Sequence, residues 1–170
     1  MRVDSPDEDT LIGSLAAAAR SYVEMATSRQ CINATWTMKL TNFPEGDIVL
    51  PIFPLVSITS IKYYDNNGVQ QTWSASLYDV DTVMEPGRIR PAADEDYPSS
   101  TRGHRDDIEI TFVAGHGAAA SDVPDGLKAL IKLLASNWFE NREANTPIAL
   151  TPVPMGIESL IWQFRSGDIL

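Results

Sequence analysis

The chain has 170 residues, 44% of them hydrophobic and 21% charged, and a formal charge of −10. That length supports one respectable core and requires no second domain, and the composition is that of a globular chain rather than a disordered one. No apolar run approaches the roughly 20 residues of a membrane span, the acidic start from Met1 to Asp9 lacks the plan of a signal peptide, and the reading is of a cytoplasmic product.

Ser5-Pro6-Asp7-Glu8 has the pattern of a capping box, so a helix is expected over 5–29. Leu11, Leu15, Ala18, Ala19, Tyr22 and Ala26 give it an apolar stripe, widened by Ile12, Ala16 and Val23. The period then changes from 3.6 to 2. Ile32, Ala34, Trp36, Met38 and Leu40 alternate with polar residues and predict a half-buried strand, the start of an inserted β region over 32–113. Leu50 to Leu55 carries two prolines, which exclude a helix and demote the segment to an extended edge or loop. Val56 to Tyr64 and Val69 to Trp73, joined by Asp65-Asn66-Asn67-Gly68, predict a hairpin.

Short strands are expected at Leu77 to Asp81 and Gly87 to Arg90. The segment 92–107 is polar and aperiodic, and reads as a long exposed loop of the kind that is more often functional than filler. Ile108, Ile110 and Phe112 predict a further strand, ended by Gly115-His116-Gly117. The strongest helical pattern is 123–143, where Leu127, Leu130, Ile131, Leu134, Ala135, Trp138 and Phe139 share one face. Asn141, Asn145 and Pro147 mark its exit. A last helix is expected over 154–166, with Ile157, Leu160, Ile161 and Phe164 on its buried face and Trp162 off it. The expectation is an α+β fold in one domain, 1–170, in which a small helical bundle carries an inserted antiparallel sheet.

The sequence carries none of the common catalytic motifs. There is no phosphate loop ending in Lys-Ser or Lys-Thr, no Gly-x-Ser-x-Gly elbow and no His-Glu-x-x-His pair. Cys31, the single cysteine, excludes an intrachain disulfide and reads as a small buried hydrophobe at a strand start. His104 and His116, the two histidines, would need further ligands from the acidic loop residues Asp94, Glu95, Asp96, Asp106 and Asp107. That set defines one alternative, a small metal-dependent hydrolase. Of Trp36, Trp73, Trp138 and Trp162, three are expected in the core; exposure of Trp36 and Trp73 would instead favour a carbohydrate-binding module. The net negative charge argues against tight binding to a nucleic-acid backbone, yet suits a passage through which DNA slides.

A set of residues spread along the chain resembles the head-tail connector proteins of tailed bacteriophages and related gene transfer particles. It comprises Leu11-Ile12, Ala18-Ala19-Arg20, Glu24 and Thr27-Ser28-Arg29, then Trp36, Leu50-Pro51, Pro54, Val56 to Asp65 with Gly68, and Tyr78-Asp79-Val80. It continues through Ile110 to Gly115 and Val123-Pro124 to Trp138-Phe139-Glu140-Asn141-Arg142-Glu143. Tyr97-Pro98 stands where such proteins tend to have Trp-Pro, and His116 where an aromatic is usual.

The resemblance implies a non-enzymatic virion protein without a cofactor, assembled as a twelve-membered ring under the portal protein. A stopper or tail-terminator protein would meet its other face, and DNA would pass through without sequence-specific binding. Assembly would take place in the bacterial host cytoplasm. On this reading Arg20, Glu24, Arg142 and Glu143 are candidate contacts between subunits, and Trp162, Phe164 and Arg165 candidate contacts with the portal.

Overall fold

The computed structural model describes residues 8–99, 101–140 and 155–165. The proposed capping residues Ser5 and Pro6, the exit signals from Asn141 to Pro147, and Arg142 and Glu143 lie outside them. The described chain is α+β: helix α1 (Asp9–Thr27), seven strands, then helices α2 (Asp125–Glu140) and α3 (Met155–Phe164). The helices and the strands each gather around their own buried cluster.

The three helices bury Ala19 and Val23 of α1, Leu127, Leu130 and Leu134 of α2, and Ile157 and Ile161 of α3, together with Cys31 and Val123. Each fully buried leucine contributes roughly 1.5–3 kcal/mol. The α2 and α3 faces are those expected, and Trp162 does fall off the α3 face. The α1 face is rotated from its expected position: Leu11 and Ala18 are exposed, and Thr27 takes a buried place. Its hydroxyl donates to the Val23 carbonyl at 2.7 Å, which makes the last turn tolerable inside the bundle. Ser28, at φ 56, ends the helix in the left-handed region. Gln30 Nε2 and the Cys31 amide then both donate to Glu24 Oε1, at 3.1 and 2.9 Å, and fix the path toward the first strand.

The inserted β region is two antiparallel sheets rather than one. In the larger, β7 (Ile108–Ala114) is central, pairing with β1 (Ala34–Leu40) on one side and β3 (Leu55–Tyr64) on the other, and β3 pairs onward with β4 (Gln70–Trp73). The smaller sheet places β6 (Arg88–Pro91) between β2 (Ile48–Val49) and β5 (Tyr78–Asp81). Ile108, Ile110, Phe112 and Ala114 alternate along β7 with half-buried Glu109, Thr111 and Val113, so one face of the large sheet packs into a core shared with Ile48, Tyr78 and Ile89. The hairpin forms at its expected turn, with Ile61 opposite Trp73. Irregularities at Leu55/Ser57 and Ile58/Ser60 interrupt β3, and Val56 is left on the outside.

Insert and bundle meet where the chain crosses between them. The Gln30 amide donates to the Phe53 carbonyl, the Phe53 amide to Ser28, and the Asn33 amide to Gly117, at 2.9, 3.1 and 2.8 Å. The entrance to the insert and its exit are therefore side by side.

Candidate interaction surfaces

The long loop is less free than its composition suggests. Tyr97 stacks on Phe43 with ring centroids 5.2 Å apart, and its hydroxyl donates to the Gly46 carbonyl at 2.8 Å. At the other end of the loop Asp107 is buried, accepting from Arg102 Nη2 at 2.6 Å and from the His104 amide at 2.8 Å. The hydrogen bond from Arg102 is the main cause that lowers the Asp107 carboxyl below its ordinary value of 3.8. Asp94, Glu95, Asp96 and Asp106 are exposed.

The two histidines do not converge. His104 precedes β7 and His116 follows it, so a strand of seven residues, roughly 20 Å in length, lies between them. Among the described residues no group of three or more His, Cys, Asp and Glu side chains is placed to hold a metal ion. His116 is partly buried beside Arg29 and Glu85; desolvation first, then the Arg29 charge, pushes its imidazole below the ordinary 6.5. The metal-dependent hydrolase therefore has no assembled site among these residues.

The tryptophans divide differently from expectation. Trp73 is buried and Trp138 packs edge-on against Tyr22 at 6.1 Å, but Trp36 is 40% exposed on edge strand β1 and Trp162 is 69% exposed. Two, not three, are in the cores. With Trp73 buried, no Trp36–Trp73 platform for a sugar exists. Cys31 is buried as expected, and burial pushes its thiol up to about 11.

The residues suggested as contacts have distinct surroundings. Arg20 is exposed. Glu24 caps the chain after α1, as described, and so has an internal role. Phe164 is half-buried, and its ring fills the space over Gly126 of α2, where an added Cβ would lie 2.6 Å from Cζ. Trp162 and Arg165 remain outward, with the guanidinium 4.9 Å from the indole centroid.

The polar node at the junction is Arg29, which is among the residues of the resemblance but to which the sequence assigned no role. Its Nε donates to the Phe164 carbonyl at 2.7 Å, its Nη1 to Glu85 Oε1 at 3.0 Å, and its Nη2 to Glu85 Oε2. The guanidinium also lies 4.9 Å from the Phe53 ring centroid. One side chain thus joins α3, the loop after β5 and the junction beside α1. Nothing local in the sequence pairs Arg29 with a residue 56 positions away.

Bundle and insert define the class as α+β: three helices around one buried cluster and two antiparallel sheets around another. No family model matches the chain, and no curated protein is significantly similar to it. Among solved structures it is similar to a chain in the virion of a native gene transfer agent particle, with 29% identity over 100% of this chain and 84% of that one and a TM-score of 0.81. It is also similar to a chain in the neck of the native particle computed with C12 symmetry, with 28% identity over 94% of this chain and 84% of the other and a TM-score of 0.77. A third similar chain is in the neck of the empty particle, computed with C6 symmetry, with 29% identity, coverage of 100% and 86%, and a TM-score of 0.79.

Proposed function

We propose that this chain is a structural protein of a phage-like particle neck, a head-tail connector that forms a twelve-membered ring under the portal. The ring would surround the DNA channel and link the portal to a stopper or tail-terminator protein. The observation that carries the reading is a likeness over the whole chain, at 29% identity and a TM-score of 0.81, to a chain of a gene transfer agent virion. The C12 and C6 symmetry of the similar necks supports a ring. The charge of −10 suits a wall past which DNA slides without being held, and no catalytic step or cofactor is part of the role. The site of action is the virion, after assembly in the host cytoplasm.

Within this reading Trp162 and Arg165 are the portal contact, since Trp162 is outward on α3 and Arg165 outward just after it, whereas Phe164 supports them from within the bundle. Arg20, Arg142 and Glu143 are subunit contacts, and Glu24 orders the chain beside them. Negative-stain imaging and light scattering of the purified chain mixed with its portal test the proposal. The expected result is a ring seated on the portal, weakened by Trp162→Ala by about 2 kcal/mol, as for an exposed aromatic anchor. A chain that stays monomeric and never joins the portal overturns it.

A further inference from the structure

The loop after β5 carries a rigid apolar projection. Val83 is 90% exposed and Met84 47%, yet neither is on a loose segment. Asp81 Oδ1 accepts from both their amides, at 2.9 and 3.0 Å, and the next residue, Glu85, is clamped by Arg29. An apolar tip held this firmly loses little conformational freedom on docking.

The same chain carries an apolar groove of about 150 Å³ between α1 and α2, lined by Ile12, Leu15, Ala16, Ile131 and Ala135, with Lys132 beside them. Tip and groove are on opposite flanks of the bundle. Phe164 of α3 covers Gly126, and Arg29 links Phe164 to Glu85 next to the tip. Ala135, in the groove, is nine positions after Gly126, about two and a half turns at about 100° per residue, and so faces the opposite way.

A ring of more than two subunits is built from heterologous contacts, in which one patch of each subunit meets a different patch of the next. We infer that the Val83–Met84 tip of one subunit seats in the α1/α2 groove of the adjacent copy. The inference rests on the ring proposed above and names its seam. Surface character agrees with it: the tip presents Val83 and Met84, the groove presents aliphatic side chains, and Asp79 and Asp81 beside the tip are answered within the chain by Arg90 and Arg88, which leaves the seam apolar.

Disulfide trapping in the full chain tests the seam. Val83→Cys combined with Ser136→Cys, at the groove, should give on mild oxidation a ladder of covalent multimers that neither single variant gives. Cys31, buried, stays silent. Independently, Val83→Asp with Met84→Asp should lower the assembled fraction about tenfold while leaving the circular dichroism and Tm unchanged, because these side chains face solvent. Rings that form with no ladder, and that tolerate both aspartates, overturn the seam and leave the ring reading standing. A chain that forms no ring even on its portal overturns both.

Discussion

Asp107 is the one charged residue that is buried among the described residues, at 2% exposure, and it closes the loop 92–107 against the sheet. Its carboxylate binds Arg102, whose guanidinium lies 4.4 Å from the Tyr64 ring centroid. Folding lowers its pKa, chiefly through Arg102, so the bound carboxylate stabilises the native state fully above the unfolded carboxyl's pKa. That contribution is lost as pH falls through the native value, below 3.8. Asp107→Asn should therefore lower Tm at pH 7, and the gap from the unsubstituted chain should narrow in melts taken below about pH 4. An equal gap at both pH values would mean that packing, not charge, holds the loop.

The strands were legible from the sequence to the extent that their signals are local. Alternation along Ile108 to Phe112 and the turn Asp65 to Gly68 each lie within a few residues, and both elements form where expected. Pairing is not local: nothing in the sequence of β7 says that β1 and β3 flank it, or that β2, β5 and β6 separate into a second sheet. The rotation of α1 has a similar origin. Its alanines suit either face, and contact with α2 selects Ile12, Ala16 and Ala19 over Leu11 and Ala18. The outward Trp162 was readable from the i, i+3, i+4 and i+7 pattern around it, whereas the Arg29–Glu85 clamp was not.

At the same scale, Gly115 shows why the strand-ending turn uses glycine. Its φ is 145°, and an added Cβ would be 2.6 Å from the backbone N and Cα of Asn33, where β1 is entered. Gly115→Ala should destabilise the chain by about 1–3 kcal/mol in urea unfolding, with an unchanged m-value.

For the whole molecule, the side-by-side entrance and exit make the β region a removable cassette. Asn33 and Gly117 are joined by a 2.8 Å hydrogen bond, and the two buried clusters share no residue. A short glycine-serine link from Ile32 to Gly117 spans that gap without stretching the bundle. The shortened chain should keep a helical circular dichroism spectrum and unfold cooperatively; loss of the helical signal would show that the bundle depends on its insert. Such a junction lets one helical frame accept inserts of different size and shape, so the surfaces offered by each layer can diversify separately.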